Sequence, residues 1–354
     1  MEYHGTEPKG APMKHKTAFS LLAAGLAALL LFFLLRGNAD AMNWWVWRVS
    51  MPIKRALGAV TDWLPFSVCE AGVTMLILLA VGLLVRCGVC RRGLGVWALH
   101  LACLLVWGYA AVCGLWGTQY YADSLAGPAP AVSVEQLAAV TDYFAQKANE
   151  TACDMPSKQD ILTHSAGLYD PLTGRWPQLA GPERRAKPAF YSKLMSAAGF
   201  TGYLCPITGE STLNVDCPAV FLPVTVAHEY AHQRGVAAEQ EANYFGILAA
   251  LNGDTAYQYS AWLFGYLHLS NALYGADREL AAQSWQSLCD TARRDLLENN
   301  AYWAGWEGPA KEAGETVYEA FLQSYGQELG MKSYGACVDL LVQEFLPYTT
   351  CSAS

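Results

Sequence analysis

The alternation of apolar and polar positions divides the chain into two unequal parts. Residues 17–35 are an uncharged apolar run of 19 between Lys16 and Arg36, long enough for a helix that crosses a bilayer. A second run covers about 66–85, with Glu70 near its start and Arg86 after it. A third covers about 94–116 and has His100 as its one ionisable group. The pattern predicts a membrane anchor of three transmembrane helices over residues 17–118, preceded by a tail, 1–16. Ala39-Asp40-Ala41 resembles a signal-peptide cleavage site, but the first run is too long for a signal peptide's apolar core and two more runs follow, so it reads as a retained anchor.

Beyond residue 118 the periodicity becomes that of amphipathic helices. Gly127-Pro-Ala-Pro-Ala131 is a short linker, and Ser133-Val-Glu-Gln136 has the spacing of a capping box that opens a helix to about 152. Further helices are expected at about 188–198, ending at Gly199, at 238–251, and from a cap at Asp254 to about 274. Helical patterns then run over 276–299, 308–329 and 333–346. Residues 202–214 alternate weakly and predict one or two short strands. The expectation for 119–354 is a mainly α domain, α+β with a small sheet.

Composition changes this picture in two ways. Hydrophobic residues make up 53% of the 354 positions and charged ones 15%, which leaves apolar surface for spans as well as a core. Residues 1–118 carry 10 basic and 5 acidic side chains, the remainder 13 and 26. An acidic C-terminal domain argues against nucleic acid as a partner and leaves the lipid bilayer and a peptide or protein as expected partners. Lys9, Lys14 and Lys16 before the first run, and Arg86, Arg91 and Arg92 between the second and third, mark the cytoplasmic side. No Lys or Arg occurs between Arg92 and Lys147, so residues 119–354 are expected outside the cytoplasm. Residues 37–63 hold Trp44, Trp45, Trp47 and Trp63 among Arg48, Lys54 and Arg55, and read as a Trp-rich segment in the headgroup layer. Cys153, Cys205, Cys217, Cys289, Cys337 and Cys351 permit disulfides in an exported domain.

The candidate chemistry lies in His228-Glu-Tyr-Ala-His232. On a helix the two histidines stand one turn apart, about 6 Å along the axis and on one face, so their ring nitrogens can converge on one Zn2+. Glu229 is rotated about 100° from His228 and can take a proton from water and pass it to a leaving amine. Gly235 can end the helix and turn the chain back. The next helix starts with Glu239 and Glu241, which point to opposite faces, so one of them can complete the site. Glu239 shares its face with Asn243, which can orient a ligand through a hydrogen bond; this favours Glu239, with Glu241 as the alternative.

This segment resembles the zincin metallopeptidases. Glu239-Gln-Glu-Ala-Asn243 is similar to the Glu-x-x-x-Asp element of their glutamate-ligand branch, with Asn243 where the aspartate would support a histidine. More of the chain resembles the bacterial family known as domain of unknown function 3810. The likeness lies in Leu64-Pro-Phe-Ser67, Trp116-Gly-Thr-Gln-Tyr-Tyr121, Pro206-Ile-Thr-Gly-Glu210 with Asn214, the motif itself, Tyr259-Ser260, Ser333-Tyr-Gly335 and Val338-Asp-Leu-Leu341. The resemblance implies a zincin-like domain in a multi-pass protein of the bacterial cell membrane.

Hydrolysis also needs a donor for the oxyanion, for which Tyr259 and Tyr334 are candidates. His268 reads as a satisfied structural histidine and Arg234 as a solvated neighbour, with contact to a substrate carboxylate as its alternative. Residues 206–214 could be an edge strand that binds extended substrate. The expected function is peptide-bond hydrolysis by zinc-activated water, with His228, His232 and Glu239 as ligands and Glu229 as general base. The competing reading is a non-catalytic sensor or scaffold whose zinc holds helices together, which would require four protein ligands.

Overall fold

The computed structural model describes residues 11–90, 94–325, 327 and 337–349. The N-terminal part consists of α1 (Ala11–Leu35), α2 (Ala39–Trp45), a π-helical segment at Val46–Ser50 that leads into α3 (Met51–Thr61), then α4 (Val68–Cys90) and α5 (Leu94–Leu115). Lys16–Leu35, Val68–Arg86 and Trp97–Leu115 are long and apolar enough to cross a membrane. Their leucines and valines are largely exposed, as lipid-facing side chains are.

The remainder is mainly helical: α6 (Val134–Thr151), α7 (Lys158–Thr163), α8 (Ser192–Ala197), α9 (Leu222–Gln233), α10 (Glu239–Ala250), α11 (Thr255–Ala276), α12 (Arg278–Ser287), α13 (Asp290–Ala304), α14 (Pro309–Ser324) and α15 (Cys337–Thr349). The Ser133–Gln136 capping box opens α6, and the Asp254 side chain accepts from Tyr257 N to open α11. The pattern over 276–299 is broken into α12 and α13, because Asn149 of α6 accepts from Cys289 N at 2.7 Å and donates to Ser287 O at 2.8 Å. The expected 188–198 helix is shortened to α8 because Lys187–Pro188 forms a strand instead.

A three-stranded sheet has β1 (Lys187–Pro188) parallel to β3 (Glu210–Leu213) and β2 (Gly202–Cys205) antiparallel to it, in the order β1-β3-β2. β1 and β2 are therefore the edge strands, and 206–214 supplies the turn and the central strand rather than an edge. The main core lies among α6, α9, α10, α11 and α15, where Phe144 meets Trp262 at 4.8 Å and Phe345 at 4.9 Å between ring centroids.

The N-terminal helices are fastened to this domain. Residues 37–63 are helical and bury Met42, Val46, Met51 and Lys54, while Trp44 and Trp63 stay exposed. Ser50 Oγ donates to Leu115 O at 2.8 Å, and Thr61 Oγ1 to Thr208 O at 3.1 Å. At the start of α4, Val68 N and Cys69 N donate to the Glu210 carboxylate at 3.1 Å each, and Glu210 also pairs with buried Lys187. Glu210→Ala would leave that ammonium buried without its counter-charge, a change that costs about 3–5 kcal/mol. Thermal unfolding of the full chain is expected to show that loss, whereas Arg293→Ala, at an exposed pair with Asp290, should change little. Cys153, Cys205, Cys217 and Cys289 are free thiols; Cys351 lies outside the described residues.

Candidate metal centre

α9 is positioned by burial on nearly all sides: Val224, Val226, Ala227, Tyr230 and Ala231 are all at most 1% exposed. Pro223 fits its first turn. The helix ends at Gly235, whose φ of +96° is a left-handed conformation that glycine adopts without strain. Val236 N donates back to Ala231 O at 3.1 Å, which closes the turn and sends α10 back along α9. The two helices touch at Gly246, where a Cβ would stand 2.9 Å from His228 Cα.

This packing brings together three of the residues singled out by spacing. One donor atom from each of His228, His232 and Glu239 lies within 4.8 Å of the others, a set that could hold a metal ion. His228 Nε2 is 3.2 Å and His232 Nε2 3.7 Å from the Glu239 carboxylate oxygens. The His232 Nδ1–H donates to Val236 O at 2.6 Å, which leaves Nε2 with its lone pair toward the cluster. Asn243, one turn along α10 from Glu239, lines the same cavity, and its side chain favours the protonated form of His228. Glu241 is elsewhere: it accepts from Leu125 N at 3.3 Å and fixes the loop before α6.

The electrostatics separate the four ionisable groups. Burial alone would raise the Glu239 carboxyl, but the charges of His232 and His228 and hydrogen bonds from His228 and Tyr318 pull it down to about 2. His228 is also desolvated, yet Glu239, Glu229 and Asn243 hold it above the ordinary imidazole value. Burial pushes His232 down to about 4 against the pull of Glu239. Glu229 is pushed up to about 8, chiefly by burial, and its Oε2 has no hydrogen-bond partner.

The cluster opens into a cavity of about 590 Å³, walled by α9, α10, β2, α11, α14 and the end of α5. Residues remote in the sequence also reach the cluster. Tyr318, one of 19 tyrosines, donates to Glu239. Trp116 packs edge-on against His232 at 5.1 Å between centroids. Lys54 donates to His232 O at 3.1 Å and is pushed down to about 7 by burial.

Four readings of the sequence need correction or relocation. Tyr259 does not line the cavity; it is fully buried on the other side of α11, and its hydroxyl donates to Asp295 at 2.7 Å. Tyr334 lies outside the described residues. Arg234 is neither solvated nor turned to the cavity: it is 2% exposed, donates to Leu179 O and Glu183, and stacks over Tyr169 at 4.2 Å. His268 is not satisfied, since it lines the cavity with an unpartnered Nε2, and burial lowers it to about 4, which keeps it neutral.

No curated protein and no solved structure matches the chain. A match does extend over residues 48–342, from the π-helical segment through the His–Glu cluster to α15, and on that match the chain belongs to the family described as protein of unknown function (DUF3810).

Proposed function

We propose that this protein is a zinc peptidase of zincin-like architecture, anchored in a membrane by α1, α4 and α5. The observation that carries the reading is the convergence of His228, His232 and Glu239 in a cavity that also holds the unpartnered carboxylate of Glu229. The donors suit zinc in kind, two imidazoles and a carboxylate. They also suit it in spacing. Tetrahedral ligands about 2.0–2.1 Å from a metal stand about 3.3 Å apart, and the separations of 3.2 and 3.7 Å bracket that edge. Among the described residues the cluster offers three protein donors, the number that leaves a position for substrate.

Zinc held there would supply Lewis acidity toward water and toward a peptide carbonyl. The chain's own groups do the rest. The Val236 carbonyl fixes the tautomer of His232, and Asn243 orients His228. Glu229 lies beside the cluster, where a bound cation would favour its carboxylate form, and is placed to accept a proton from water and return it to the leaving nitrogen. His268, neutral and on the cavity wall, can hydrogen-bond a substrate carbonyl.

The sheet supports the same reading. Thr201 O accepts from Asn214 N at 2.9 Å, so residues 201, 203 and 205 direct their backbone groups to β3. By antiparallel alternation Gly202 and Leu204 direct theirs to the free edge, where an extended substrate could add as a strand. That edge is next to Glu229: a Cβ at Gly202 would stand 2.7 Å from Glu229 Oε1.

The test is metal removal. The purified full chain should cleave an unstructured reporter polypeptide, lose activity after chelation and regain it with one equivalent of zinc. Cleavage that survives complete chelation would rule the reading out.

A further inference from the structure

The cavity and the apolar helices are not separate features. Val112, three residues inside the end of the third apolar segment, and Trp116, just beyond it, form one wall of the cavity. Leu204 of the free edge strand packs on Trp116, with Val112 and Phe321 against them. Because the Trp116 ring contacts His232 directly, the cluster lies within roughly 10 Å of the end of α5, a distance that about three extended residues cover.

A second feature fixes the same depth from the other side of the sheet. Glu70 is the one acid in the second apolar segment, and its carboxylate accepts from Phe190 N at 2.7 Å and Tyr191 N at 3.2 Å. The Tyr191 hydroxyl is 2.9 Å from Thr74 Oγ1, six residues or about 9 Å into that segment. The loop after β1 is thereby held beside the first turns of α4. There it presents Phe190, 84% exposed, and leads into α8, which presents Leu194, 67% exposed. Trp63 and Phe66, also exposed, stand just before α4, where aromatic side chains mark a membrane interface. Large apolar side chains clamped at the depth of a membrane span face lipid.

Resting on the peptidase reading, we infer that the substrate is a membrane-anchored polypeptide, taken at the segment within a few residues of its own span. The Phe190–Leu194 loop seats the domain in the bilayer surface, and the cavity, walled by the end of α5, opens at that level. A soluble chain reaches the cluster without the local concentration that a shared bilayer provides. A segment far from its span passes above the cavity.

The test reads binding rather than turnover. The full-length Glu229→Gln protein, carrying a photoreactive residue in place of Thr201 at the cavity wall, is placed in nanodiscs. It is offered a single-span model helix with an unstructured extension, or the same extension without the span. Adducts with the anchored probe should exceed those with the soluble one at least tenfold and map to the extension's first ten or so residues. A photoreactive residue in place of Phe190 should label lipid, while one in place of Leu297, which is exposed on α13, should not. Equal capture of both probes, capture of neither, or no lipid labelling at 190 overturns the inference. Should the anchored probe be captured but not cut by the wild type, the peptidase reading falls and the binding preference stands. Equal cutting of both probes by the wild type would do the reverse.

Discussion

Replacing Glu229 with glutamine is expected to lower hydrolysis by about 100- to 10,000-fold, the range for loss of a general acid–base group, while zinc stays bound. The same change should stabilise the metal-free protein. Burial raises this carboxyl from 4.5 in the unfolded chain to about 8 in the fold. A carboxyl whose folded value is raised costs nothing below the unfolded value and progressively more as pH rises through the folded one. At pH 7 the cost is about 3 kcal/mol, at 1.36 kcal/mol per unit, and glutamine removes it. Thermal unfolding of the metal-free variant should therefore exceed wild type at pH 7, and the difference should all but vanish at pH 4.5. A difference that grew toward acid would mean that Glu229 is held as a carboxylate by a partner.

Glu239→Gln and Glu241→Gln are expected to separate, although both carboxylates are buried and only two positions apart. Removing an outer partner of a metal ligand costs about 10- to 100-fold in affinity, and loss of a ligand's charge should cost at least that much. Glu239→Gln is thus expected to be purified with little zinc and to weaken binding by 100-fold or more in competition with a chelator. Glu241→Gln should keep full zinc occupancy. Its carboxyl is raised by burial and accepts from the Leu125 backbone N–H, so a neutral amide there costs about 1 kcal/mol of stability at most. Parallel loss of zinc in both variants would mean that α10 is rotated from the position that aims Glu239 at the histidines.

The parts of the site legible from sequence are those set by spacing along one or two turns. His228 and His232 share a face because helices repeat every 3.6 residues, and Gly235 marks the stop because few other residues adopt its φ. The same arithmetic separates Glu239 from Glu241. Capping residues Ser133 and Asp254, and the three apolar runs, are equally local. What remained hidden depends on contacts between distant segments. Tyr318 reaches Glu239 across 79 positions, and Lys54 reaches the His232 carbonyl across 178. Tyr259 falls in the core and His268 on the cavity wall, the reverse of the sequence expectation, because the apolar residues of α11 lie all around it and offer no pattern to tell its cavity face from its core face. The break between α12 and α13 follows from Asn149, not from the residues at the break. The tryptophans of residues 37–63 suggest a headgroup-layer segment, yet its buried Met51, packed at Gly235, and Lys54, bonded to His232 O, show it seated on the domain.

The proposed centre is a zinc ion held by His228, His232 and Glu239 with one position left for substrate. Zinc-edge X-ray absorption on the purified full chain tests it most directly. The expected spectrum has one zinc per chain, two imidazole nitrogens at about 2.0–2.1 Å and oxygen donors completing the shell, and the imidazole signal is lost in a His228→Ala, His232→Ala variant. Absence of stoichiometric zinc, sulfur in the shell, or a shell closed by four protein donors would contradict it.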